Sequence, residues 1–219
     1  MKVVIVGGHG KVARHLGRIL GDRGDQPIGV IRDERQVSDL REDGMEPALH
    51  DLEEDEASHL AELIDGAAAV VFAAGAGPGS GAARKETVDY GGAVQLIDAA
   101  EQAGVSRYVM VSAMGTDDPP EGDDVFSVYL RAKARADEEL MNSGLDWTIV
   151  RPGRLTDEPG TGLVRLARHV QRGEVPREDV AEVLAEVLRR PDTGGHVFEL
   201  VSGERQIPDA LDQLVDGRA

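Results

Sequence analysis

The sequence contains no cysteine. Disulfide staples, thiolate metal centres and thiol catalysis are therefore excluded, and the composition suits a reducing compartment such as the cytoplasm. Aromatic residues make up only 3% of the 219 positions, so the core has to be built from Val, Leu, Ile and Ala. No apolar run approaches the roughly 18 residues of a membrane span; the best, residues 67–74, ends at Gly75. Cations are in deficit, with 24 Lys and Arg against 41 Asp and Glu, a formal charge of −17. Nucleic acid needs clustered cations, so it is not an expected partner, and the acidity reads as solubility. Met1-Lys2-Val3-Val4-Ile5-Val6 turns to glycine too early for a signal peptide. The expectation is a cytoplasmic monomer or homodimer acting on a small molecule, with no membrane contact.

What is present is an alternation. Val3-Val4-Ile5-Val6 is a short continuous apolar run, as in a strand buried on both faces. Glycines break it, and Val12, Leu16, Ile19 and Leu20 follow at helical spacing. Further strands are expected at 28–31, 47–52, 69–74, 108–111, 145–150 and 197–201. Helices are expected around Leu40, over 57–64, around Ile97, over 127–143 and around Val183. Strands alternating with helices predict an α/β fold of the Rossmann type. Its doubly wound parallel sheet would carry helices on both faces. The whole chain, 1–219, reads as one such domain, with residues after about 153 supplying a small substrate cover. The acidic, proline-bearing loop 116–124 reads as a mobile lid.

Gly7-x-x-Gly10-x-x-Ala13 falls where the first strand meets the first helix, the context that gives a glycine motif meaning. Gly7 permits a tight turn, Gly10 lets a pyrophosphate approach the backbone, and small Ala13 lets the helix pack close. The helix N-terminus offers free N–H groups to phosphate. Arg32 ends the second strand, where an acid would hold the ribose of NAD and an arginine accommodates the 2′-phosphate of NADP. NADP(H) is favoured, while the adjacent Asp33 keeps NAD(H) open. Lys11, Arg32 and Arg35 are the cations that would offset the negative field around such a cofactor. Asp51 either meets the adenine or caps the following helix.

Tyr129 and Lys133 are four apart on one expected helix face, and Ser112 ends a strand. An ammonium beside Tyr129 would lower its pKa and fit it for acid catalysis on a carbonyl, with Ser112 on the same oxygen. The catalytic candidates are thus Ser112, Tyr129 and Lys133. The histidines show no metal spacing: His9 lies in the glycine loop, and His15, His50, His59, His169 and His196 read as surface residues. No metal is expected.

Several segments together resemble the atypical short-chain dehydrogenase/reductases, in the NAD(P)H-binding, NmrA-like branch. They are Val6-Gly7-Gly8-His9-Gly10-Lys11-Val12-Ala13, Val30-Ile31-Arg32-Asp33, Val88-Asp89-Tyr90, Val109-Met110-Val111-Ser112, Tyr129-Leu130-Arg131-Ala132-Lys133, and the run Ser143 to Gly153. His9 stands where the family commonly has Thr or Ser, and Ala13 where it has Gly. The branch includes flavin, biliverdin and quinone reductases and redox-sensing proteins. The resemblance implies cofactor contacts from Gly7, Gly8, His9, Gly10, Lys11, Val12, Ala13, Arg32, Asp51, Leu52, Ala73, Ala74 and Gly75. On the nicotinamide side it implies Ser112, Lys133 and the segment Arg151 to Leu155, Pro152 and Gly153 foremost. The expected activity is NADPH-dependent hydride transfer to a small planar or carbonyl acceptor, a flavin or quinone favoured. Two alternatives stand beside it: a non-catalytic NADP(H) sensor, and a nucleotide-sugar epimerase or dehydratase.

Overall fold

A computed structural model describes residues 1–77 and 79–217. The first half runs β1 (Lys2–Val6), α1 (Lys11–Asp22), β2 (Gln26–Ile31), α2 (Val37–Glu42), β3 (Glu46–Leu49), α3 (Ala57–Ile64) and β4 (Ala69–Phe72). Next come α4 (Gly81–Arg84), a π-helical stretch (Lys85–Gly91), α5 (Gly92–Ala103), β5 (Arg107–Val111), α6 (Val125–Asn142) and β6 (Asp146–Pro152). The chain finishes with β7 (Arg154–Thr156), β8 (Leu163–Ala167), β9 (Glu174–Pro176), α7 (Arg177–Val187), β10 (His196–Ser202), β11 (Arg205–Gln206) and α8 (Ile207–Val215).

Seven strands pair in parallel in the order β3-β2-β1-β4-β5-β6-β10, the doubly wound arrangement the alternation predicts. Antiparallel β8 and β11 extend the β10 edge. Helices cover both faces, and β1 shows why its apolar run is unbroken. Val3 and Ile5 enter the core shared with α1, α7 and α8, while Val4 and Val6 enter the one shared with α3, α5 and α6. Among the described residues no helix is long and apolar enough to cross a membrane.

In the C-terminal part β7 and β9 form a separate two-stranded pair, while β8, β10, β11, α7 and α8 complete the sheet and one of its helical layers. The 116–124 loop is tied down at several points. The Thr116 hydroxyl bonds Asp137, and Arg131 donates to the carbonyls of Pro120 and Gly122 at 2.7 and 2.6 Å.

Candidate cofactor crevice and catalytic cluster

β1 and β4 lie side by side, yet the helices that follow them pack on opposite faces of the sheet. Their C-terminal ends therefore part, and a crevice opens at this switch point. A cavity of about 300 Å³ occupies it. Gly7, His9 and Gly10 form one lip, and Ala73, Ala74, Gly75 and Ala76 the other. Gly7 turns the chain at φ +84°, and a Cβ there would lie 2.5 Å from the Cα of Ala74. Gly10, on the crevice lip, precedes α1 in an extended conformation, and no side chain caps the first turn of that helix. An uncapped helix start against a glycine lip suits a pyrophosphate.

At the far end of the crevice Arg32 is exposed, and its guanidinium meets Glu53 at 3.3 Å. Arg84 grips the same carboxylate at 2.7 and 3.0 Å, and the Thr87 hydroxyl donates to it at 2.6 Å. The hydrogen bonds from Arg84 and Thr87 hold the Glu53 carboxyl below its usual range. Two guanidiniums thus share one carboxylate in the crevice wall. Nothing local in the sequence marks Arg84 for this place; it arrives on the short helix α4. Asp33 is engaged by Arg35, and Lys11 reaches out to Asp157 at 2.6 Å. Of the three cations expected to face a cofactor, Arg32 lines the crevice, while Lys11 pairs with Asp157 and Arg35 with Asp33.

The remaining candidates fall in three places. Asp51 and Leu52 line the crevice wall, and Asp51 accepts from the N–H of Glu53, stabilising its own turn rather than the following helix. Gly8 packs on Gly29 of β2 and donates its N–H to the Val30 carbonyl, and the Val12 and Ala13 side chains face the core, so a phosphate contact from the latter two is through backbone. Pro152 ends β6 in the interior, and Gly153 donates to the carbonyl of Leu200.

Behind the Ala74 lip lies a buried ionic cluster. Lys133 is 3% exposed and donates to the carbonyls of Val111 and Ala74, at 3.1 and 3.4 Å, with Asp89 at 3.9 Å. It ties the ends of β4 and β5 together from beneath the lip. Asp89 also accepts from the N–H of Ala76. Ser112 turns inward and donates to Asp137 at 2.9 Å; Arg151 donates to the same oxygen at 3.0 Å. Burial raises the Asp137 carboxyl above its usual range in spite of Arg151 and Ser112. Asp137 and Asp89 are not among the site residues the sequence points to, although Tyr129, Lys133 and Asp137 are spaced by four along α6; Arg151 heads the segment the resemblance implies on the nicotinamide side.

The expectation for Tyr129 is reversed in one respect. Its phenol is pushed up, not down, by burial and by the charges of Asp89 and Asp137. Lys85 stands over the ring, 5.3 Å from its centre. The expectation of surface histidines also needs correction, since His50 is buried and meets His59.

A switch-point crevice with a glycine lip, an uncapped helix start and paired arginines defines a dinucleotide-binding α/β protein. Residues 7–191 match the NAD(P)H-binding family, and the chain belongs to it. It is 36% identical to an uncharacterized sugar epimerase, YhfK, of Bacillus subtilis over 98% of this chain and 100% of that one. A solved structure from Bacillus halodurans, provisionally an NAD-dependent epimerase/dehydratase, superposes with a TM-score of 0.91 at 41% identity, covering 98% and 100% of the two chains. ChuY, an anaerobillin reductase from Escherichia coli O157:H7, superposes with a TM-score of 0.78 at 25% identity over 94% and 99%.

Proposed function

We propose that this protein is an NADPH-dependent reductase that delivers hydride to a small planar or carbonyl acceptor. The observation that carries the reading is the glycine-lipped crevice whose Ala74 lip is held by Lys133, one turn along α6 from Tyr129. Burial and two carboxylates raise the Tyr129 phenol, so it would hold a proton for an acceptor oxygen that gains hydride. The bound nicotinamide would supply the hydride; Tyr129 would hold the proton, and Lys133 would fix the Ala74 lip. Phe126, 62% exposed one turn before Tyr129 with ring centres 6.1 Å apart, adds an apolar face suited to a flat acceptor. The likeness to ChuY, a reductase, supports the same direction.

The test is NADPH oxidation with flavins, quinones and aldehydes in parallel with nucleotide sugars. Turnover of an acceptor from the first group is expected. Bound NADPH without turnover would favour the sensor reading and overturn this one, and interconversion of a nucleotide sugar with the cofactor recycled would overturn it in favour of an epimerase.

NADP(H) preference follows from Arg32 and Arg84. A 2′-phosphate brings charge and acceptor oxygens to guanidiniums that now share Glu53. Arg32→Ala should weaken NADPH about tenfold, the scale of one exposed charge-assisted hydrogen bond, and leave NADH within about twofold. Fluorescence titration with both nucleotides checks this; equal losses would remove Arg32 from phosphate recognition.

A further inference from the structure

His50 follows β3, and its ring is out of solvent. Its Nδ1 lies 3.3 Å from Nδ1 of His59 and 3.7 Å from Oδ2 of Asp55, and the last two atoms are 4.0 Å apart. The circle through three points so spaced has a radius of about 2.1 Å, the bond length that imidazole nitrogen and carboxylate oxygen make to zinc. An ordinary histidine pair does not call for a carboxylate oxygen at the third corner.

The hydrogen bonds around the triangle prepare the donors. The Gln95 amide nitrogen donates to the Asp55 carbonyl at 2.6 Å, which turns the amide oxygen toward Nε2 of His50 at 3.2 Å. An oxygen there requires Nε2 to carry the hydrogen, so the neutral ring presents a lone pair at Nδ1, toward His59 and Asp55. A ligating histidine whose other nitrogen donates to an outer partner is the usual arrangement at metal centres. The Asp55 carboxylate is oriented in turn by the N–H of Asp51, 2.7 Å from Oδ2. His59 and Asp55 are exposed, which gives an ion a way in and leaves room for solvent ligands.

We propose that His50, Asp55 and His59 bind one divalent transition-metal ion of the zinc class, with water completing its shell. Two imidazoles and one carboxylate are a borderline-soft set, suited to zinc or cobalt over magnesium or calcium. The ion would clamp residues 50–55 to α3. His50, Asp51, Leu52 and Glu53 of that segment line the crevice, so the clamp would stiffen the wall on which Glu53 holds Arg32 and Arg84.

The test uses the tag-free, chelator-stripped full chain without nucleotide, so its outcome is independent of the reductase reading. Cobalt(II) chloride alone should bind one-to-one with visible d–d absorption, and one equivalent of zinc(II) should displace it. His59→Ala and Asp55→Asn, both at exposed positions, should each weaken cobalt binding at least about tenfold. Nitrogen-15 spectra of the imidazoles should show His50 protonated at Nε2, with its Nδ1 signal moving on zinc addition. Absence of saturable one-to-one binding would overturn the proposal. So would unchanged binding in His59→Ala, which would place the ion elsewhere, for instance at Asp117, His169 and Glu199.

Discussion

Gly7→Ala is expected to abolish useful cofactor binding and to destabilise the fold by about 3 kcal/mol. Two costs combine: the left-handed backbone at φ +84°, about 1–2 kcal/mol for a residue with a Cβ, and overlap with neighbouring atoms, about 1–3 kcal/mol. The overlap is with main chain, because the new Cβ would sit 2.5 Å from the Ala74 Cα and 2.7 Å from its nitrogen. No rotamer change relieves it; β1 and β4 have to part or the turn has to refold, and either alters both lips of the crevice. Thermal unfolding should shift down by about 6–12 °C for a chain of this size, and NADPH affinity should fall by about 100-fold or more, the equivalent of those 3 kcal/mol carried into the site. Gly24→Ala is the control. Gly24 has nearly the same φ, +81°, but nothing lies within 4 Å of its added Cβ. It should lose about 1–2 kcal/mol from the backbone alone and bind NADPH as the parent does. Equal nucleotide affinity in both variants would show that the Gly7 turn does not shape the crevice.

That contrast also shows which parts of the molecule could be read from sequence. A glycine turn between an apolar run and a helical stripe is local physics, so Gly7, Gly10 and the β1–α1 junction were legible. Most of the seven parallel strands are legible for the same reason, as apolar runs closed by glycine, proline or polar residues; β3, Glu46-Pro47-Ala48-Leu49 with both ends exposed, carries the weakest signal. β7, β9 and β11 have only two or three residues and no periodicity to detect. α8 lies outside the expected elements, although Ile207, Ala210, Leu211 and Leu214 keep helical spacing. The electrostatic partners were out of reach. Lys11 meets Asp157 across 146 positions, and Arg84 meets Glu53 across 31. Spacing alone puts Tyr129 beside Lys133, but shows neither the burial nor the two carboxylates, Asp89 and Asp137, that raise the phenol.

Those carboxylates make the buried cluster the most vulnerable part of the molecule. Arg151→Met should cost about 3–5 kcal/mol near neutral pH, because removing one partner of a buried pair leaves the other charge uncompensated. Arg151 is 5% exposed and Asp137 fully buried. The methionine keeps much of the apolar stem, so the loss is electrostatic in origin, and its pH dependence identifies it. Burial already raises the Asp137 carboxyl in the folded protein, and removing Arg151, the largest opposing influence, raises it further. A carboxyl whose pKa is higher folded than unfolded binds its proton more tightly when folded. Its contribution to stability is present in full below the unfolded carboxyl range and is lost as pH rises through the folded value. Arg151→Met should therefore be hurt less at about pH 5 than at about pH 8, opposite to ordinary acid denaturation. Adding Asp137→Asn removes the stranded charge while leaving Ser112 an oxygen to donate to, and should recover about half the loss at the higher pH, since pair replacement is commonly far cheaper than pair breaking. Urea unfolding of the two variants and the parent at both pH values measures this. A loss independent of pH, with no recovery in the double variant, would assign Arg151 a packing role and detach it from the Asp137 charge.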